Sequence, residues 1–302
     1  MRRAPGGNAI TRLLSKVISG RALVIAVPLV WLSVFFVIPF IVVLQISLTD
    51  AAIARPPYTP LFDGWTFMGD LENYRFLLSD KLYINAYLSS LKIALISTVF
   101  ALLIGYPIAY YIARAEEPKR SLLLMLIILP FWTSFLLRVY AWIGFLSQNG
   151  IINNMLMSLG IIDTPIVMLQ TDFAVYIGIV YTYLPFMILP LYANLVKLDV
   201  SLLEASQDLG ASPTSTFFRI TLPLSLPGII AGSMLVFIPA IGEYVIPALL
   251  GGPDTLMIGK ILWTEFFNNR DWPVASAVAT VMLVVVVLPI MLLRKAQAKE
   301  PS

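Results

Sequence analysis

The chain has 302 residues, 59% of them hydrophobic and 12% charged, with a mean hydropathy of +0.87; soluble domains are less apolar and more charged. A net charge of +3 lends no support to nucleic-acid binding. The lack of any cysteine or histidine removes disulfides, thiol chemistry, the usual zinc sites and the commonest general base. The acids are scattered, and no metal-ligating or catalytic residue is assigned. These bounds describe an integral membrane protein, and the elements follow in chain order.

Residues 1–21 carry Arg2, Arg3, Arg12, Lys16 and Arg21 without an acid. The apolar run Ala22–Ser47 that follows is too long for the core of a signal peptide and reads as a first span. Pro28 and Pro39 do not veto it, because membrane helices tolerate proline where neighbours satisfy the freed carbonyls. An external loop, 48–84, holds Asp50, Asp63, Asp70, Glu72 and Asp80 among several prolines and aromatics. A second span is expected over Ala86–Ile112, then a basic turn from Arg114 to Arg120. The third, Ser121–Leu146, contains Pro130-Phe131-Trp132-Thr133 and Arg138. Segment 147–172 has a turn signal at Asn149-Gly150 and predicts a short surface helix near 151–159.

The fourth span, Phe173–Val196, contains Pro185 and Pro190. After a polar island comes a fifth, Pro227–Leu250, opening on Gly228-x-x-x-Gly232, a spacing that lets helices approach closely within a subunit or across a dimer. Loop 254–272 leads to a sixth span, Pro273–Leu293, and a basic tail, 294–302. The expected fold is all-α with six spans, 22–293 forming the transmembrane domain. Segments 1–21, 114–120, 197–220 and 294–302 hold 13 of the 20 Lys and Arg residues, and the opposite loops hold 5. By the positive-inside rule both termini and the polar island are cytoplasmic.

That island, residues 201–223, is the most structured loop. Ser201 and Glu204 have capping-box spacing, which predicts a helix over 202–209 ended by Gly210. Ser212-Pro213 predicts a second start carrying Phe217 and Phe218, with Leu222-Pro223 as its break. Two short helices joined at a glycine make a knob, either a docking element for a partner or a well-capped interfacial hairpin. Gly252–Lys260 is not a phosphate loop, since Asp254 stands where glycine is required and Ile261 where Ser or Thr is.

Three ionisable residues fall inside apolar runs, Lys92, Arg138 and Glu243. Each is costly in lipid and should face protein or water. Their depths permit a Glu243–Arg138 salt bridge. Alternatively Glu243 lines a pathway and attracts a cation, with Tyr244 or Trp132 offering an aromatic face.

The pattern Glu204-Ala205-Ser206-x3-Gly210-x9-Ile220-x-Leu222-Pro223 resembles the EAA loop of permease subunits of binding-protein-dependent ABC importers, with Ser206 where that family usually has alanine. The runs Pro130–Tyr140, Gly242–Asp254 and Trp263–Pro273 resemble polyamine importer permeases and are most similar to the putrescine permease. The resemblance implies a type I importer fold in the bacterial inner membrane, with those loop residues docked on a cytoplasmic ATPase. It also implies a second, different permease subunit, two ATPase copies and an extracytoplasmic polyamine-binding protein; the external Asp, Trp and Asn residues would seat that protein. ATP would be used by the partner, and no cofactor would be bound here. The competing classes are a secondary transporter or channel, an importer of another solute, and a membrane enzyme resting on Glu243 and Lys92.

Overall fold

The structure is a computed structural model that describes residues 20–297. The basic segment up to residue 19 and the tail beyond 297 lie outside the described residues. The chain divides into two compact units, one of the residues up to Leu77 with Arg270–Val287, the other of Leu78–Asn269 with the residues from Leu288 onward.

In the first unit, α1 (Gly20–Leu32) runs through a π turn at Ser33–Val37 into α2 (Ile38–Ile46). Val24–Ile46 carries no charged residue and only Ser33 and Gln45 as polar ones, and its 23 residues reach about 35 Å, enough to cross a bilayer. Pro28 sits inside this helical run and Pro39 just beyond the π turn, so neither proline ends it. The loop that follows contains a two-residue antiparallel pair, β1 (Phe62–Asp63) and β2 (Thr66–Phe67), with Phe62 opposite Phe67. Asn73 at the start of α3 (Glu72–Ser79) donates to the carbonyls of Ser47 and Thr49, and the Ser47 and Tyr74 hydroxyls lie 2.6 Å apart. These bonds occupy carbonyls left open at the end of α2. Asp50, Asp70 and Glu72 gather here within 4.8 Å, all exposed, so these acids are not scattered in space.

The second unit is organised by three helices: α4 (Lys81–Arg114), α8 (Asp172–Leu195) and α12 (Leu226–Ile241). Asp80 accepts from the Leu82 N–H at 2.8 Å and caps α4 more than a turn before the expected start of the span. Thr171 caps α8. Their core joins Ala101, Tyr106 and Ala109 of α4 to Met187, Ile188 and Leu191 of α8 and Val236 of α12. Small residues set the spacing. A Cβ on Gly228 would stand 2.8 Å from Asn194 Cβ, and one on Gly232 3.0 Å from the Met187 carbonyl oxygen. The two glycines therefore serve packing of α12 on α8 within the subunit.

The remaining spans differ from expectation. The third is bent by 91° between Lys119–Trp132 and Phe135–Ser158. Its parts are α5 (Lys119–Ile128), a 3-10 turn at Leu129–Trp132, α6 (Phe135–Leu146) and, past Gly150, α7 (Ile151–Ser158), the expected surface helix. Pro130 cannot donate to a helical ladder and Thr133 is extended, so the helix stops there. The fifth is also divided: α12 ends at Ile241, and α13 (Val245–Leu250) begins after a gap of three residues. Thus, among the described residues, three of the expected spans are single helices long and apolar enough to cross, the third is bent at its middle, and the fifth is preceded by a 64° bend at Ser225. The sixth lies in α15 (Trp272–Gln297), whose stretch Trp272–Leu288 is the shorter apolar helix.

Candidate coupling segment and membrane pathway

The knob is built from α9 (Val200–Asp208), α10 (Pro213–Thr216), a π turn at Phe217–Thr221 and α11 (Leu222–Leu224). Its first cap is Asp199, not Ser201. The Asp199 carboxylate accepts from the Ser201 N–H at 2.9 Å, which places Ser201 inside the first turn and leaves the expected Ser201–Glu204 capping box unformed. That bond holds the Asp199 carboxyl below its ordinary value. The end of α9 is as expected. Gly210 takes φ +81°, its N–H reaches the Gln207 carbonyl at 2.8 Å, and the Ala211 N–H reaches that of Ser206 at 3.1 Å, the two bonds of a Schellman ending.

Ser212 caps α10 through the Ser215 N–H, with Pro213 in the first position. Leu222-Pro223 does not break the helix. Pro223 lies in the first turn of α11 directly after the π turn, where its missing N–H is tolerated, and the chain bends by 64° only at Ser225.

The two halves of the knob are joined by hydroxyls. Ser206 and Thr216 lie 2.5 Å apart and are both buried, so the serine that departs from the EAA pattern ties α9 to α10. Glu204, Ala205, Gly210 and Pro223 are exposed, whereas Ile220 is half-buried and Leu222 packs on the core of the long helices. The motif residues therefore divide into an outward face and an inward anchor. Two apolar side chains join the outward face, Phe218 at 60% exposure, named above with Phe217, and Leu209 at 89%, which sequence reasoning did not single out. Leu209 was foreseeable, since it directly precedes the glycine that ends the helix.

Glu243 lies not in a helix but in the gap between α12 and α13, and is only 8% exposed. Its Oε1 accepts from the Val245 and Ile246 N–H groups at 3.0 and 3.4 Å, capping α13, and its Oε2 accepts from the Tyr183 hydroxyl at 2.5 Å. The expected salt bridge to Arg138 does not form. The Arg138 guanidinium lies over Phe131 at 5.5 Å and Phe135 at 6.0 Å, and its buried Nε has no hydrogen-bond partner. The two charges are instead linked through rings: Phe131 stands edge-on to Phe186 at 5.2 Å, and Phe186 lies 6.1 Å from Tyr183, which holds Glu243.

Tyr244 stacks on Trp263 at 4.4 Å and 13°, and Trp263 meets Phe267 at 4.1 Å. Trp263 belongs to α14 (Ile258–Trp263), whose first N–H groups include that of Ile258, bonded to the Ser90 hydroxyl of α4 at 2.8 Å. A π turn follows at Thr264–Asn269, and in it Glu265 accepts from Tyr83 of α4 at 2.9 Å. Trp132 is 80% exposed at the 91° bend and takes no part in the Tyr244 stack. Lys92 is exposed on α4 rather than buried. Tyr183 and Trp263 were missed as partners because both pairings join distant parts of the chain.

A bundle of apolar helices with a buried carboxylate at a helix break, and a structured polar knob at one end, is the architecture of a membrane translocation subunit. The chain belongs to the family described as binding-protein-dependent transport system inner membrane component, which it matches over residues 8–299. It is 43% identical over 265 residues to the spermidine/putrescine transport system permease protein PotB of Salmonella typhimurium, covering 87% of this chain and 88% of that protein. The inner membrane ABC transporter permease protein YdcU of Escherichia coli K12 is 32% identical over 230 residues, 72% of this chain and 73% of that one.

Among solved structures, a bacterial ABC transporter involved in import of the acidic polysaccharide alginate superposes with a TM-score of 0.63 at 20% identity, over 94% of this chain and 99% of that one. The MetNI methionine ABC transporter in an inward-facing conformation gives 0.54 at 18%, over 73% and 97%. These two likenesses establish the type I importer permease fold. The chain is a multi-pass inner-membrane transport component and not an enzyme.

Proposed function

We propose that this chain forms half of the membrane pathway of an ATP-driven importer for putrescine or a related polyamine. The observation that carries the substrate class is Glu243, a buried carboxylate at a helix break beside the Tyr244–Trp263 stack. A carboxylate and aromatic faces are what an alkyl diammonium ion requires. The neighbouring cation, Arg138, has its charge spread over Phe131 and Phe135 and is not aimed at Glu243. The PotB relative is named for spermidine and putrescine together, which supports the same class.

The knob docks on a cytoplasmic ATPase through Glu204, Ala205, Gly210 and the exposed Leu209 and Phe218, while Leu222 anchors it. A second permease completes the pathway, two ATPase copies sit beneath the pair, and an extracytoplasmic binding protein delivers substrate. Both termini and the knob are cytoplasmic. ATP is bound by the ATPase alone, and its closure moves the knob so that the spans alternate between outward-open and inward-open states.

The test is uptake of radiolabelled putrescine and spermidine in cells lacking their own polyamine importers, with the chain co-expressed with its neighbouring transporter genes and compared with Glu204→Ala. Uptake that prefers one polyamine and requires Glu204 supports the reading. No uptake of either polyamine by an assembled complex overturns the substrate class and leaves an importer of another solute.

A further inference from the structure

Movement of the small surface knob must cross a 64° bend to reach the long helices. We propose that Tyr106 is a latch that passes knob movement directly into α4 and, through it, into the α4–α8 core. This inference rests on the coupling assignment given above.

Three observations meet at this residue. The Tyr106 hydroxyl lies 2.9 Å from the Ser225 hydroxyl, a buried contact between residues 119 apart. Ser225 is itself the bend residue between Pro213–Leu224 and Leu226–Ile241 and is fully buried. Its hydroxyl proton goes to the Leu222 carbonyl at 2.9 Å, so Tyr106 is the donor to Ser225. Phe217, in the π turn of the knob, stands edge-on to the Tyr106 ring at 5.6 Å and 89°. One side chain thus grips the knob's second half by its ring and the bend by its hydroxyl.

The local sequence of α4 suits that task. Pro107 follows Tyr106 within the helix, removing one backbone bond to the preceding turn and providing a place to flex. Gly105 precedes it, and a Cβ there would stand 3.1 Å from Met187 and 3.3 Å from Ile188, so α8 packs against the same turn. A bend free to flex would absorb knob movement. With Tyr106 holding both the knob and the bend residue, the knob, the bend and the Gly105–Pro107 turn shift as one piece. Phenylalanine would fill the same core with Ala109, Met187 and Leu191 but would lose the bond to the Ser225 hydroxyl, so that bond is what sets tyrosine apart here.

The experiment uses the full reconstituted importer with its ATPase and binding protein, and reads polyamine uptake per ATP hydrolysed for Tyr106→Phe, Ser225→Ala, the double variant and Glu204→Ala. Tyr106→Phe is expected to lower uptake per ATP by roughly 3- to 10-fold, the range one buried hydrogen bond supports. The double variant is expected to be no worse than the more affected single one, because both remove the same bond. A merely structural role would reduce the amount of assembled complex without changing the ratio. An unchanged ratio in Tyr106→Phe, or losses that multiply in the double variant, overturns the latch. If the Glu204→Ala ratio is also normal, the coupling assignment falls with it; if that ratio is low while Tyr106→Phe is normal, only the latch fails.

Discussion

At the scale of single residues, two polar contacts decide what the knob and the pathway can do. Ser206 and Thr216 are buried against each other. Removing one hydroxyl leaves the other without a partner, whereas removing both leaves no orphan. Ser206→Ala is therefore expected to lower the local opening free energy of α9 and α10 by about 1–2 kcal/mol, read by hydrogen exchange, and Ser206→Ala with Thr216→Val to recover most of the loss. Equal protection in the single variant would show that the hydroxyl pair adds nothing. Glu243 poses the opposite case, because its charge, not its geometry, is the proposed function. Glu243→Gln retains an oxygen for the Val245 N–H and a group beside Tyr183, so assembly is expected to survive. Uptake is expected to fall roughly 10-fold or more, in line with the loss of a charge-assisted contact to an ammonium group. Unchanged uptake would leave Glu243 as a cap for α13 and no more.

At the scale of elements, the knob is a helix pair whose ends are specified by local chemistry. Gly210 at φ +81° is a conformation that proline cannot adopt, and its N–H is bonded. Gly210→Pro should therefore deform the docking face, while Glu204→Ala changes one exposed side chain on it. Both are expected to leave the protein in the membrane and to uncouple ATP hydrolysis from uptake, measured together in vesicles; normal transport at normal abundance would remove the docking role. The cap of α9 has a pH signature. Because the Asp199 carboxyl is held below its ordinary value in the folded knob, its stabilising effect is complete above the unfolded value and is lost as pH falls through the folded one. Protection of the amides at the start of α9, measured against their intrinsic exchange rates at each pH, should fall in acid, below the usual carboxylate range, and Asp199→Ala should show that lower protection already at neutral pH. Identical exchange in both proteins at neutral pH would argue against the cap.

At the scale of the whole molecule, the sidedness of the spans is a statement about charge, and it is open to direct test because the chain has no cysteine of its own. Asp208→Cys on the knob and Thr66→Cys in the first long loop should be labelled by a membrane-impermeant maleimide from opposite sides of the membrane. Labelling of both from one side would overturn the proposed orientation, drawn from the 13 Lys and Arg residues that share a side with the knob against 5 in the opposite loops.

Much of this protein follows from local chemistry. Hydrophobic run length foretold the three single long apolar helices among the described residues, and the caps at Ser212 and Gly210 were readable because a cap is an interaction between residues a few positions apart. Even the mistaken choice of Ser201 over Asp199 was an error of two residues in the same turn. The EAA pattern also marked the knob, since it is contiguous in sequence. The tertiary structure alone decided the partners of the charges inside the membrane. A salt bridge between Glu243 and Arg138 is allowed by depth, yet depth says nothing about direction. Glu243 turned to Tyr183, 60 residues away, because the break at Gly242–Tyr244 exposed the N–H groups that its carboxylate could cap. The meeting of Tyr106 with Ser225, 119 residues apart, was likewise settled by helices packing on one another. Such pairings are chosen by which backbones can approach closely, and no local pattern in the chain records them.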